Sequence, residues 1–294
     1  MQRGVAAARE RVRSPDGDVV LTILLGLTSA VGWGAPDAVL ARAVRHIGAF
    51  PVVFGSILIG TLIASPLALV LDTPDWSERS LVLAPIVGIL TVLGFQAGFM
   101  SFKDGAVSVV APIIACEGGV AAVFSLLGGE QVDGLVLLGL PLAVVGVVLV
   151  SRGEGEDSTG GVVPAAAAAL IWGGVLALSA PVAHDLGAGW AFLLVRGSAV
   201  VAMLPVALAL RTPRAARIEW WRVGIWGVCD AIAYFAFVLA ADHGPAAVAS
   251  VLAAQFGTVG AIVAVVFFGE HLRRRQVVGI AIVAVAVGVM ALGG

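Results

Sequence analysis

The chain has 294 residues, of which 60% are hydrophobic and 12% are charged, and its formal net charge is −2. Soluble domains carry about 25% charged residues, so this chain has too little charge to cover a water-facing surface of its size. The composition excludes an ordinary soluble domain, and the small negative charge gives no support to nucleic-acid binding. We therefore expect membrane lipid to contact most of the surface.

Ten apolar segments follow a polar tail, and each is long enough for a membrane-spanning helix of about 20 residues. The breaks between them are short and contain charged, glycine or proline residues. Helices are expected because every backbone amide in lipid needs an internal partner, and the segments lack the alternating pattern of a membrane barrel. The predicted fold is an all-α integral membrane protein with ten transmembrane helices at 19–43, 49–71, 80–101, 106–127, 132–150, 164–183, 188–210, 221–241, 245–268 and 276–292.

The sequence repeats itself at an offset of 139 positions. Trp33 corresponds to Trp172, and the run PLALVLDTP at 66–74 corresponds to PVALALRTP at 205–213, with both prolines in register. A fixed offset maintained over such distances indicates that one unit has been duplicated.

Each copy of the unit contains five predicted helices. Because five is an odd number, the second copy must enter the membrane from the side opposite to the first, and the two repeats are inverted. We divide the chain into an N-terminal polar tail at 1–18, a first five-helix repeat at 19–150, a linker at 151–163 and a second five-helix repeat at 164–294.

Two short motifs recur at matching places in both repeats: a Trp-Gly pair in the first helix and a Gly-Glu pair that closes the fourth. They lie at Trp33-Gly34, Trp172-Gly173, Gly129-Glu130 and Gly269-Glu270. Together with the five-plus-five arrangement, these motifs resemble the drug/metabolite transporter superfamily, in particular its EamA-type members. The resemblance extends over residues 19–292.

The resemblance implies a ten-helix transporter with a central substrate cavity and both termini in the cytoplasm. It does not choose among amino acids, nucleobases, sugars and drugs as cargo. One position departs from the family pattern, since many relatives have a basic residue after the Gly-Glu pair and this chain has Gln131 and His271 there.

Basic residues favour the opposite orientation. Cytoplasmic termini would leave 5 Lys and Arg residues on the cytoplasmic side and 11 on the other side, against the usual positive-inside distribution. We follow the resemblance and expect an integral protein of the inner or plasma membrane with both termini in the cytoplasm.

Four charged residues stand out within predicted spans, where each costs at least about 2.5–3.5 kcal/mol on insertion scales and is therefore a candidate functional residue. They are Asp37, Glu117, Arg196 and Asp230, and their repeat counterparts are the uncharged Leu176, Phe256, Ile57 and Thr91. Two interpretations remain open: a solute or coupling site, or a structural ion pair of Arg196 with Glu117 or Asp230. With three acids and one base, at least one carboxylate lacks an arginine and is a candidate proton carrier, and Glu117 is our first choice.

Aromatic and amide side chains complete the predicted site. Trp33 and Asp37 are four residues apart and share a helix face, which suits a cation or a planar ligand. The remaining candidates are Gln96, Trp172, Tyr234 and Gln255. The amides and the tyrosine hydroxyl are equally consistent with hydrogen bonds between helices. We expect these residues to line a central cavity formed by helices one, three, four, six, eight and nine.

The predicted function is secondary active transport of a small organic solute, such as a metabolite, an amino acid or a drug, by alternating access. Export is the expected direction, and protons are the candidate coupling ion. The alternatives are an intramembrane enzyme and a channel-like or structural membrane protein. We expect no enzyme activity, catalytic residue, cofactor or metal, because the sequence has neither a nucleotide-binding loop nor a His-Glu-x-x-His motif. The protein is expected to be a monomer or a homodimer.

Overall fold

The computed structural model describes residues 15–36, 47–71, 74, 76–104, 113–151, 161–209, 217–268 and 274–292. This part of the chain is helical and contains no strand. Its apolar segments, rich in Ala, Leu and Val, satisfy their backbone hydrogen bonds within each helix, as an apolar environment requires.

The helices follow the two predicted repeats. Helices of the first repeat are α1 (Pro15–Gly34), α2 (Ala49–Leu71), α3 (Glu78–Asp104), α4 (Glu117–Leu127) and α5 (Gly134–Ser151). Helices of the second repeat are α6 (Val162–Leu186), α7 (Ala188–Ala209), α8 (Arg217–His243), α9 (Ala246–Ala253), α10 (Phe256–Phe268) and α11 (Arg274–Leu292).

Four described helices are long and apolar enough to cross a membrane: Glu78–Gly98, Val162–Leu186, Ala188–Ala209 and Trp220–His243. Six further apolar helices of the described part are shorter, with 10–17 residues. Each of the ten lies in a different one of the ten predicted segments. The four long helices are clear candidate spans, and the full count of ten spans remains a prediction.

The ninth predicted helix is interrupted, which the sequence analysis did not anticipate. A turn at Ala254 and Gln255 separates α9 from α10, and a turn at Ala115 and Cys116 precedes α4. Both turns lie at equivalent positions of the two repeats, 139 residues apart. The Gln255 side chain donates to the carbonyl of Val251 at 2.9 Å, which satisfies a backbone group near the end of α9. No proline occurs at this interruption, so no residue in the local sequence predicts it.

Packing between the repeats is reciprocal. Helix α1 packs against α8 and α9, whereas α6, its counterpart, packs against α3 and α4. Likewise α2 packs against α8, and α7 packs against α3. The remaining contacts join counterparts directly: α2 with α7, α4 with α9, and α5 with α11. Exchanging the repeats thus reproduces these pairs of neighbours, as expected when two copies of one unit pack around a pseudo-two-fold axis.

The first helices of the two repeats run in opposite directions. Thr22, in the first half of α1, donates to the carbonyl of Ala240 near the end of α8 at 3.4 Å. Nδ1 of His184, in the last turn of α6, lies 3.4 Å from Oδ1 of Asp242, in the last turn of α8. The start of α1 and the end of α6 therefore lie at the same end of the bundle.

The largest apolar cluster of the described residues lies where α3, α4, α6, α7, α8 and α9 meet, and its fully buried aromatic side chains are Phe192, Tyr234 and Phe237. The four long apolar helices all contribute to this cluster.

Candidate functional site

Three charged side chains are buried within the described ranges: Glu117 is 6% exposed, Arg196 is 1% exposed and Asp230 is 2% exposed. All three are among the residues predicted from the sequence. Burying a charge carries a large desolvation cost, so each such group should have a partner or a function.

Arg196 and Asp230 form an ion pair between α7 and α8. Nη2 of Arg196 donates to Oδ1 of Asp230 at 3.1 Å. Nε1 of Trp33, on α1, donates to the same carboxylate oxygen at 2.9 Å. Arg196 therefore pairs with Asp230 and not with Glu117, and one carboxylate oxygen joins a helix of the first repeat to two helices of the second.

Tyr234 lies one turn after Asp230 on α8 and supports the guanidinium. Cζ of Arg196 lies 4.3 Å from the centroid of the Tyr234 ring, within the range of a cation–π interaction. Oη of Tyr234 is 2.9 Å from Oγ of Ser179, and that serine also lies 2.6 Å from the carbonyl of Val175. Since the serine hydroxyl can donate only once, it donates to the carbonyl and accepts the tyrosine proton.

Several polar atoms of the ion pair have no hydrogen-bonding partner among the described residues. They are Nε and Nη1 of Arg196 and Oδ2 of Asp230, and all three are buried. Buried polar atoms in folded proteins are nearly always paired. The cluster of Trp33, Ser179, Arg196, Asp230 and Tyr234, which we call the ion-pair cluster, therefore retains two donor nitrogens and one acceptor oxygen without a partner among the described residues.

Glu117 is separate from the ion-pair cluster. It is the first residue of α4, and no hydrogen bond or ion pair joins its carboxylate to any other described residue. Next to it, Gly118 lies against α9: a Cβ at this position would be 2.9 Å from the carbonyl oxygen of Ser250 and 3.1 Å from Cα of Val251. The buried carboxylate thus begins a half-helix where the two repeats pack tightly together.

The other predicted site residues have different surroundings. Oε1 of Gln255 accepts from Thr258 at 3.3 Å, so this amide is bonded within its own interrupted helix. The ring of Trp172 packs edge-on against Phe95, with centroids 4.8 Å apart. Gln96 is exposed on α3, and Asp37 lies outside the described residues.

Ser179 and Phe192 are not among the site residues predicted from the sequence. Phe192 packs against Tyr234 with ring centroids 5.5 Å apart, and Ser179 fixes the hydroxyl of the same tyrosine. Neither residue has a distinctive sequence signal, because serines and phenylalanines are common in apolar helices and only the fold brings these two to Tyr234. Within the described part, no group of three or more His, Cys, Asp and Glu side chains is arranged to hold a metal ion.

Comparison with known protein families identifies the family to which the two repeats belong. The EamA-like transporter family matches residues 20–152 and 159–292, which are the two repeats. The chain belongs to the EamA-like transporter family. It is therefore an integral membrane protein and a membrane transporter of the drug/metabolite transporter superfamily. No curated protein matches the chain.

A solved crystal structure, titled only "Crystal structure of protein", has a fold similar to that of this EamA-like chain. The two are 17% identical in sequence with a TM-score of 0.75, and the match covers 92% of this chain and 96% of the other. At this identity the similarity demonstrates a shared fold and nothing about cargo.

Proposed function

We propose that this EamA-like protein is a secondary active transporter that binds a small organic solute at the ion-pair cluster and moves it by alternating access. The observation that carries the proposal is the buried Arg196–Asp230 pair of the second repeat, which Trp33 of the first repeat contacts and which has unused hydrogen-bonding atoms. Export is the direction we propose, in the inner or plasma membrane.

The chemistry of the cluster favours a solute with both an acceptor and a donor group. Nε and Nη1 of Arg196 suit an anionic or carbonyl oxygen, since a guanidinium presents its donors as a planar fork. Oδ2 of Asp230 suits an ammonium, amide or hydroxyl donor. A metabolite, an amino acid or a polar drug meets this requirement, whereas a purely apolar molecule does not.

Ten spans in two inverted repeats provide the framework for the proposed transport. The reciprocal packing of the helices and the opposite directions of α1 and α6 support this arrangement. A substrate site between inverted repeats can be exposed to either side when one repeat rocks against the other. We propose further that both termini lie in the cytoplasm.

Protons are the coupling ion that we propose, and Glu117 is the proposed carrier. Its carboxylate is buried and has no basic partner in the described part of the structure. A carboxyl group in such a position can alternate between a neutral and a charged form as water reaches it. The helices of one chain form the cluster, so the transport unit is one chain, whether the protein is a monomer or a homodimer.

Solute binding tests the proposal first. Purified protein is screened by thermal unfolding against amino acids, nucleobases, polyamines and cationic drugs, because a ligand of the folded state raises the apparent stability. Solutes that bind are then followed in proteoliposomes. Saturable uptake that responds to an imposed pH gradient supports coupled transport.

A matched variant distinguishes the cluster from other sites. Arg196→Ile combined with Asp230→Thr introduces the residues that the first repeat has at the equivalent positions, Ile57 and Thr91. We expect this double variant to fold and to lose the solute-induced thermal shift and the uptake. A double variant that binds and transports as the natural protein does would rule out the cluster as the binding site. Uptake that never saturates would instead favour a channel.

A further inference from the structure

Asp185 joins the two repeats at one end of the bundle. It lies at the end of α6, and its Oδ2 accepts hydrogen bonds from the hydroxyls of Ser77, at 2.6 Å, and Ser80. Ser77 directly precedes α3, and its hydroxyl also accepts the backbone amide of Ser80 at 3.0 Å. The start of a helix in the first repeat is thereby fastened to the end of a helix in the second.

Glu130 makes a second connection between the repeats. It lies between α4 and α5, and its two carboxylate oxygens accept the backbone amides of Ala246, at 2.5 Å, and Ala247, at 2.9 Å. These are the first residues of α9, whose capping residue, Pro245, provides no side-chain hydrogen bond of its own. A carboxylate from the first repeat therefore caps a helix of the second.

Both connections lie at the same end of the bundle. Helices α6 and α8 finish there, as the proximity of His184 and Asp242 shows, and α9 begins directly after α8. An edge-on contact between Trp76 of the first repeat and Trp190 of the second, with centroids 5.1 Å apart, lies beside Asp185 at this end. We call the set of Ser77, Ser80, Glu130 and Asp185, with the α9 amides that Glu130 caps, the clamp.

We propose that the clamp is a gate, which holds this end of the bundle closed in the present conformation and opens once in each transport cycle. The inference rests on the proposed transport function and adds to it the end that is closed and the residues that close it. When two repeats rock against each other, the contacts that cross between them at one end have to break and reform.

The chemistry of the clamp suits reversible opening. Hydrogen bonds to a carboxylate are strong while they are made, yet each group involved regains hydrogen bonds from water when the contact opens near the membrane surface. The ion-pair cluster differs in this respect, because its charges are 1% and 2% exposed. Opening at the clamp therefore leaves fewer polar groups without partners than breaking the buried hydrogen bond by which Trp33 of the first repeat reaches Asp230.

Thiol accessibility tests the gate without any transported solute. Cys116 and Cys229 are first replaced by Ala, and Ala180→Cys is introduced on α6, where the natural residue is 5% exposed. Protein in nanodiscs then reacts with a membrane-impermeant thiol reagent. Weakening the clamp by Ser80→Ala, Asp185→Asn or Glu130→Gln should raise the labelling rate roughly tenfold, the factor expected for losing one hydrogen bond to a charged group.

Two substitutions of the same chemical kind serve as matched controls. Ser65→Ala removes a hydroxyl that bonds only within its helix, to the carbonyl of Thr61, and Asp133→Asn alters a carboxylate that accepts the amide of Leu135 nearby in sequence. Both should leave the labelling rate unchanged. Equal labelling in the clamp variants and the natural background would overturn the gate.

A cross-link provides a second, independent test. Ser80→Cys and Asp185→Cys place two thiols where the natural side chains are hydrogen-bonded. Oxidation should stop solute exchange, and reduction should restore it, while the solute-induced thermal shift persists in both forms. Full exchange in the oxidised protein overturns the gate. If the natural protein transports no solute, yet labelling still responds to the clamp variants, the transport proposal fails and the gating movement stands.

Discussion

The two repeats place very different side chains at equivalent positions. Arg196 and Asp230 of the second repeat correspond to Ile57 and Thr91 of the first, and all four are buried. Ile57 lies in an apolar cluster, and the Thr91 hydroxyl donates to the carbonyl of Val87 in its own helix at 2.9 Å. The first repeat thus fills these two buried positions with uncharged side chains, whereas the second repeat has an ion pair there.

The fold allows a charged pair at these two positions but does not require one. The first repeat buries an isoleucine and a threonine at these positions, so the fold of the repeat does not require a charged pair there. A buried ion pair is also a weak source of stability, because its desolvation cost offsets most of the Coulomb attraction. This difference between the repeats supports a role for Arg196 and Asp230 in binding.

The largest effect should come from breaking the ion pair on one side only. Arg196→Ile leaves Asp230 buried without its cation and should lower the free energy of unfolding by about 3–5 kcal/mol. Arg196→Ile with Asp230→Thr should recover most of that loss, since both positions then resemble the first repeat. Thermal and denaturant unfolding in detergent measure both values. If the single and double variants lose the same free energy of unfolding, the positions do not tolerate the uncharged residues of the first repeat.

Equivalent positions that have the same residue in both repeats should lose similar stability when they are substituted. Gly88 and Gly227 are counterparts where helices approach closely: a Cβ would lie 2.6 Å from the carbonyl oxygen of Val195 at Gly88, and 3.0 Å from the carbonyl oxygen of Ser56 at Gly227. Alanine at either position should lower the unfolding free energy by roughly 1–3 kcal/mol because the core is overpacked. Gly98→Ala is the control, since nothing lies within 4 Å of its added methyl group. A loss at only one of the two counterparts would show that their packing is not equivalent.

A smaller effect is expected from the tyrosine that supports the guanidinium. Tyr234 corresponds to Phe95 of the first repeat, so Tyr234→Phe keeps a ring and removes only the hydrogen bond to Ser179. The expected loss is about 0.5–1.5 kcal/mol. Ser179→Ala should cost a similar amount, and the two together little more than either alone, because they remove the same bond. Additive losses in this double-mutant cycle would mean that the bond is absent.

The smallest change in stability is expected for Glu117→Gln. Its repeat counterpart is Phe256, and its carboxylate has no charged partner among the described residues, so removing the charge should leave unfolding nearly unchanged. The glutamine side chain, however, cannot bind and release a proton as a carboxyl group does. In proteoliposomes the variant should still exchange solute but lose accumulation driven by a pH gradient. Full accumulation would exclude Glu117 as the proton carrier, and a large loss of stability would show a structural role instead.

The sequence was most informative where a pattern extends over many residues. Composition and apolar length established a helical membrane protein, and the constant offset of 139 positions established the duplication. Charged residues in apolar segments are rare enough that Glu117, Arg196 and Asp230 could be singled out individually. Each of these inferences depends on local sequence or on periodicity alone.

Only the tertiary structure decided which of these groups meet. Arg196 pairs with Asp230 and not with Glu117 because of how α7 and α8 pack. The spacing of these residues along the chain does not specify this packing. The Trp33 indole reaches the same carboxylate from 197 residues away in the sequence, and Glu130 reaches α9 from 116 residues away. The turn between α9 and α10 was also unforeseen, because a side chain and packing between repeats support it without proline. Contacts between repeats arise from packing over the whole bundle, whereas sequence patterns report only what each helix buries or exposes.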